Sequence, residues 1–235
     1  MTQTMVQLLS ALSKSPDVQG AMTMLVKVCA DLVADADASI LVVDDAGDLT
    51  VQAATSDRQR AISNEQVLSG EGWALDAFAS GEASLNVTLD EVGSEWPSVA
   101  ALALQTGIRT LHTMPLRYHG EVVGVLDLCD RKGFPLSDLQ VELLTVLTES
   151  AGVGIGNRRQ QIGKEILAEQ LQRALDSRVV IEQAKGVMVG RLGVTPDEAF
   201  TWLRRFARNH SRNLHGIAAQ IVEGSLPAEA MRPDQ

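Results

Sequence analysis

The stretch from Ser137 to about Leu192 carries a helical apolar rhythm with few breakers, and it restricts the fold more than any other part of the chain. Ser137 is placed to act as an N-cap, and Leu139, Leu143, Leu144 and Leu147 supply the first buried face. At a rise of about 1.5 Å per residue, an unbroken helix of that span is roughly 80 Å long, far wider than a small domain, so part of it needs a partner. Gly152, Gly154 and Gly156 each cost about 1 kcal/mol in a helix interior. They therefore predict a bend or a close approach of a second helix. A dinucleotide-binding loop is excluded, because the spacing is wrong and no strand precedes them. Farther on, Leu167, Leu171, Ala174, Arg178 and Ile181 step by four, three, four and three, the alternation of a coiled-coil seam. Two such seams from two chains bury the stripe that one chain leaves wet, so a homodimer is expected. The alternative is a helix that folds back on its own amino-terminal half.

Charge divides the chain at about the same place. The net charge of −10 argues against a nucleic-acid partner until it is resolved by position. Residues 1–150 hold 8 basic and 21 acidic side chains, and the remaining residues hold 12 and 9. The first part is strongly acidic and the second mildly basic. A chain of 235 residues, 45% hydrophobic and 21% charged, has the composition of a folded globular protein with one large or two small domains. Cys29 and Cys129 are too few and too far apart for a metal site or a disulfide framework, and read as small buried apolar residues. No apolar run reaches the roughly 18 residues that a membrane span needs. Met1 to Ser15 lacks the basic start and apolar block of a secretion signal, so a cytoplasmic location is expected.

In the acidic part, apolar positions from Met5 to Ala36 recur at three and four residues with Pro16 as a break, predicting two helices. Ser39 to Val43 and Leu49 to Ala54 read as strands flanking the turn-forming Asp44-Asp45-Ala46-Gly47-Asp48. Thr110 to Leu116 and Val122 to Cys129 repeat the arrangement around His119-Gly120-Glu121. Between the hairpins fall a helix around Trp73 to Ala79, a short strand near Leu85 to Val87, and a helix from Trp96 to Thr106. This order, without the spacing of parallel crossovers, predicts an antiparallel α+β domain.

The basic part reads as three short helical stripes around one small core. The long helix ends in a turn over Gly190 to Thr195. Thr195-Pro196-Asp197-Glu198 is a start signal, with Thr as N-cap, Pro at the first helical position and acids at the positive helix end. Ala199, Phe200, Leu203 and Ala207 are expected to be buried on the second helix, leaving Trp202 as the exposed ring. Leu214, Ile217, Ala218, Ile221 and Val222 are expected to be buried on the third. Arg204, Arg205 and Arg208 crowd together with Arg212 nearby, which costs stability unless a polyanion or a distant acid compensates. Lys185 followed by Gly186 sets an amine beside bare helix backbone, a surface a phosphate or nucleobase can approach closely.

Catalytic arrangements do not emerge. His210 and His215 lack metal-ligand spacing, and Gly163-Lys164 is followed by Glu165 rather than by the hydroxyl residue of a phosphate loop. His112 and His119 have no nearby thiol or paired acid, and Asp127 and Asp130 are expected to cap a turn. A helix-turn-helix DNA reader is disfavoured, since its recognition helix would present Leu214, His215, Ile217, Ala218 and Ile221 without a cation. A docking module whose arginines meet an acidic protein stays open as an alternative, as does a DNA-binding regulator.

Gly70-Glu71-Gly72, Ser80-Gly81-Glu82, Gly107-Ile108-Arg109-Thr110, Met114-Pro115-Leu116 and the Gly120 to Leu126 hairpin, in this order, resemble a GAF domain. The resemblance implies a sensory fold with an antiparallel sheet and flanking helices. It allows an unidentified small-molecule ligand and calls for no other cofactor. Trp73, Trp96, Arg109 and His112 are the candidate pocket residues. Arg178 to Met188, the following acids with Ala199-Phe200, and Leu203-Arg204 to Ala207 closely resemble the ANTAR domain. That resemblance implies RNA binding in transcription antitermination by a dimer that captures paired stem-loops in a leader transcript. It carries the RNA role onto Arg178, Ala184, Lys185, Gly186, Arg204, Arg208, Arg212 and Asn213, with Leu167, Leu171, Ala174 and Arg178 as the dimer seam. The expected organisation is a GAF-like domain over 1–150, a coiled-coil connector over 151–176, a three-helix ANTAR domain over 177–225 and a tail over 226–235.

Overall fold

The computed structural model describes residues 18–33, 36–133 and 135–232. The first expected helix, built on Leu8, Leu9 and Leu12, lies outside them. The chain divides into two compact units after Gln161.

The first unit opens with helix α1 (Val18–Leu32) and strands β1 (Ala36–Val43) and β2 (Leu49–Ala54). Helices α2 (Asp57–Ser69) and α3 (Trp73–Ser80), strand β3 (Ser84–Thr88), and helices α4 (Leu89–Val92) and α5 (Pro97–Gln105) follow. Strands β4 (Thr110–Tyr118) and β5 (Glu121–Asp130) complete a five-stranded sheet in the order β2-β1-β5-β4-β3. Every pairing is antiparallel, as the absence of crossovers requires. In the first hairpin Asp44 Oδ1 accepts the backbone N–H of Ala46 at 2.9 Å and of Asp48 at 3.0 Å. The second turns through His119 and Gly120, both at positive φ (50° and 88°), as a two-residue primed turn demands.

Helices cover both faces of the sheet. Ile40, Met114, Leu116, Leu126 and Leu128 pack with Leu25, Val26 and Cys29 of α1 and with Leu144, Leu147, Ala151 and Ile155 of α6 (Asp138–Leu192). Leu41, Leu111, Val125 and Cys129 point the other way, toward Ile62, Trp73, Ala77, Val99 and Ala103 of the α2, α3 and α5 layer. Gly152 and Gly156 seat α6 on strand β4, not on another helix. A Cβ at Gly152 would lie 2.2 Å from the Arg117 carbonyl oxygen, and one at Gly156 would lie 2.1 Å from the Tyr118 ring. Tyr118 then donates its hydroxyl to Asn157 Oδ1 at 3.0 Å.

Helix α2 is absent from the sequence reading, and its composition explains why. Its buried residues are Gln59, Ile62, Ser63 and Gln66, a face too polar to show an apolar stripe. Its ends are well marked: Ser56 accepts from Gln59 N–H, and Gly70 closes the helix in the left-handed conformation at φ 72°.

In the second unit, the last turns of α6 pack against α7 (Pro196–Asn209), α8 (Leu214–Glu223) and a 3-10 turn (Ala228–Met231). Ala184 and Met188, Ala199, Leu203 and Ala207, Ile217, Ala218 and Ile221, and Ala228 and Met231 form one core. Thr195 is the expected N-cap, and with Glu198 it closes a reciprocal capping box. Two expected core residues are surface ones: Phe200 is 37% exposed and Val222 is 40% exposed. Ala199, Leu203 and Ala207, four apart, already fill the narrow buried stripe of α7, and Phe200 lies about 100° farther around the helix. Trp202 is only half-buried, packed against this core.

Candidate nucleic-acid interface

Spacings of four and three set Arg178, Glu182 and Lys185 along one line of α6, with Gly186 one turn beyond Glu182. Lys185 Nζ lies 2.9 Å from both oxygens of Glu182. It also sits 5.9 Å from the centre of the Phe200 ring, so a carboxylate and an aromatic face hold the amine in place. The Lys185 side chain is only 15% exposed. Next to it Gly186 is exposed, and a Cβ there would meet nothing within 4 Å. No packing contact therefore requires glycine at this position. Arg204 and Arg208 follow Phe200 at intervals of four on α7, and both are exposed.

The other carried-over positions have structural roles of their own. Ala184 is fully buried in the core, so its methyl is a packing group that lets the neighbouring helices approach. Asn213 caps α8 by accepting from His215 N–H at 2.8 Å. Arg212 donates to Gln220 Oε1 at 3.1 Å.

The four candidate pocket residues of the first unit do not converge. Trp73 and Trp96 meet edge to face with ring centres 5.7 Å apart. They line a cleft of about 320 Å³ with Asp76, Ser80, Val87 and Glu95. His112 alternates with Met114 and so faces the opposite side of the sheet, where its Nδ1 accepts from Asn86 N–H at 3.0 Å. Its Nε2 has no partner among the described residues, and burial pushes its pKa down to about 4 against the raising effect of Asp130. Arg109 is exposed and pairs with Asp90 at 3.6 Å. A larger cleft, of about 750 Å³, lies among Leu49, Thr50, Val67, Leu75, Asp76 and Phe78.

Of the two acids expected to cap a turn, only Asp130 does so, accepting from Lys132 N–H at 2.8 Å and Gly133 N–H at 3.0 Å. Asp127 is fully buried beneath α2 and α3. Trp73 Nε1 donates to it at 2.8 Å, Gln66 Nε2 at 3.1 Å and Gln59 Nε2 at 3.3 Å. Burial holds its carboxyl up at about 6, although these donors pull the other way. This network is why α2 turns glutamines inward.

Comparison with known proteins places each half of the chain in a domain family. The GAF domain family matches residues 15–155 and the ANTAR domain family matches residues 169–222. The chain is a GAF-domain protein with a carboxyl-terminal ANTAR domain. The fold of its first unit is similar to the GAF domain of an Acinetobacter phosphoenolpyruvate-protein phosphotransferase. That likeness has a TM-score of 0.51 at 15% identity and covers 68% of this chain and 94% of the other. It is also similar to fRMsr of Staphylococcus aureus in its reduced form, with a TM-score of 0.50 at 10% identity, covering 65% and 93%. No curated protein matches the chain significantly. The GAF and ANTAR domains are sensory and regulatory modules, so the chain is a GAF-linked ANTAR regulator. Among the described residues no helix is long and apolar enough to cross a membrane.

In this GAF–ANTAR chain, every residue of α6 from 159 to 176 is exposed. The stripe includes Leu167 at 55%, Leu171 at 58% and, unforeseen, Leu175 at 58%. Ala174 and Arg178 are exposed beside them. Leu175 was legible as the fourth residue after Leu171. Phe200, next to Lys185, is the residue that reading for a buried stripe misplaced.

Proposed function

We propose that this GAF–ANTAR protein is an RNA-binding regulator of transcription antitermination. As a homodimer it binds paired stem-loops in a nascent leader transcript and blocks formation of the terminator, under control of the GAF domain. The observation that carries the reading is the surface at Lys185 and Gly186. A glycine in a helix interior costs about 1 kcal/mol relative to alanine, and nothing in the core of the ANTAR domain compensates for it at Gly186. What it leaves is bare backbone beside an oriented amine, an exposed ring and Arg204, which suits an unpaired loop nucleotide. RNA loops are read by cations, by stacking and by close backbone approach. Duplex DNA is disfavoured, because α8 offers no cation to a groove. The leucine stripe of α6 supports the homodimer, since pairing two copies removes it from water. The clefts of the GAF domain are the places for its unidentified ligand.

The test is a titration of the full chain with tandem hairpins, with the same hairpins carrying substituted loop bases, and with duplex DNA. Lys185→Ala and Arg204→Ala are expected to weaken hairpin binding by about 1–3 kcal/mol each without unfolding the chain. If about four cations per protomer meet phosphates, log affinity falls with log salt at a slope near −3 per hairpin. Unchanged affinity in both variants would transfer the arginines to an acidic protein partner.

A further inference from the structure

The ANTAR domain has a second cationic surface that the family motif does not include. Helix α7 carries Phe200, Arg204 and Arg208 along one flank of its buried stripe and Arg205 and Asn209 along the other. On that other flank the chain folds back after α8. Leu226 N–H bonds to the Gln220 carbonyl at 3.1 Å, and Ala228 and Met231 are each 1% exposed, sealed into the core. This segment lies beyond residues 169–222 of the family match, and it sets Arg232 across from α7. The result is a cleft of about 390 Å³ lined by Arg205, Phe206, Asn209, His210, Met231 and Arg232.

Its chemistry is specific. Arg205 and Arg232 are exposed and have no carboxylate partner among the described residues. Glu229, in the same turn, does not line the cleft. The His210 ring stacks on Phe206 with centres 4.0 Å apart and planes 25° from parallel. Its Nδ1 donates to the Phe206 carbonyl at 3.0 Å, which fixes the tautomer and holds the ring. Two guanidiniums without a carboxylate partner among the described residues, beside a fixed, exposed aromatic face, match the two parts of a nucleotide.

We propose that this cleft binds one nucleoside monophosphate unit, with the phosphate between Arg205 and Arg232 and the base against His210. In the assembled regulator the unit belongs to the RNA strand outside the hairpin loop. This assignment rests on the RNA-binding reading above. The cleft adds affinity through the backbone, and the Lys185 surface reads the loop.

The experiment uses the full chain and an Arg205→Ala/Arg232→Ala double variant, with Lys185→Ala for comparison. Tandem hairpins are titrated over a range of salt, and adenosine monophosphate is titrated while the His210 ring proton resonances are followed. The double variant is expected to bind hairpins several-fold more weakly, with a salt slope shallower by about 0.7, the share of one phosphate. Its preference for the natural loop bases stays that of the wild type, whereas Lys185→Ala loses that preference. Millimolar adenosine monophosphate shifts the His210 signals in the wild type and not in the double variant. If the double variant matches the wild type in affinity and slope while Lys185→Ala weakens binding, the cleft assignment is overturned and the RNA reading stands. If the wild type binds no hairpin but adenosine monophosphate still shifts His210, the RNA reading fails and the cleft is a free-nucleotide site. If neither ligand acts, both fail.

Discussion

Replacing Gly186 with alanine should make the ANTAR domain more stable and a worse RNA binder. The residue lies inside α6, six positions before its end at Leu192, and a Cβ added there meets no atom within 4 Å. The substitution therefore creates no clash, and the gain is the helix propensity difference of about 1 kcal/mol. That corresponds to roughly a five-fold larger folding constant and, for a unit of this size, a melting temperature higher by about 4–8 °C. Binding moves the other way, because the new methyl occupies the space through which a nucleotide reaches the backbone. Overpacking of a fitted contact costs about 1–3 kcal/mol, so affinity for tandem hairpins should fall by about five-fold to about a hundred-fold. Circular dichroism gives the melting curve, and fluorescence anisotropy with labelled RNA gives the affinity. Gly163→Ala is the control, since this glycine is in the same helix and equally free of neighbours. It should stabilise without changing RNA affinity. A Gly186→Ala protein that is stabilised and binds hairpins like the wild type would refute the claim that the bare patch is a contact surface. A destabilised one would refute the reading of its surroundings.

Gly152→Ala should lower the stability of the GAF unit by about 1–3 kcal/mol despite its helix propensity gain, because the Cβ runs into the Arg117 backbone at 2.2 Å. Chemical denaturation followed by tryptophan fluorescence measures it, and a stabilised variant would show that α6 can lift off β4 at little cost. Two buried groups make opposing contributions to pH dependence. The Asp127 carboxyl, raised from 3.8 to about 6, makes stability fall as pH rises through that interval, since the native state then binds more protons than the unfolded chain. His112, lowered from 6.5 to about 4, makes stability rise over nearly the same interval. Asp127→Asn should uncover the rising trend and His112→Gln the falling one, each by about 2 kcal/mol between pH 4 and 6, and parallel pH profiles for the two variants would contradict this. Leu171→Arg with Leu175→Arg should convert a homodimer to a monomer in sedimentation, and a wild type that is already monomeric at tens of micromolar would remove the seam.

The strands, the hairpin turns, the long helix and the N-cap at Thr195 were readable because each depends on local chemistry. Alternation, positive-φ glycines and N-cap hydroxyls act over a few residues. Helix α2 was not readable, since its inward face is matched to Asp127, a residue 61 positions beyond Gln66. The same distance effect hid Asp127 itself, which looks like its neighbour Asp130 in sequence and differs only in the helices above it. At the candidate interface, Lys185, Gly186 and Arg204 were legible as residue types in a pattern. The pairing of Lys185 with Glu182 and its nearness to Phe200 were not, because they depend on how α6 meets α7. His112 and Trp73 looked like pocket companions, and counting strand alternation from Met114 would have separated them.

The carboxyl-terminal turn has a practical corollary. A fragment stopped at Gly224, just past the family boundary, would lose the two side chains, Ala228 and Met231, that plug the floor of the three-helix core. Ile217 and Ile221 belong to that same core, so amputating the last eight described residues leaves a greasy hole beneath them and should favour clumping or early melting. Poor behaviour of such a trimmed piece would then report on where it was cut, with no bearing on whether the intact tip can hold a ligand.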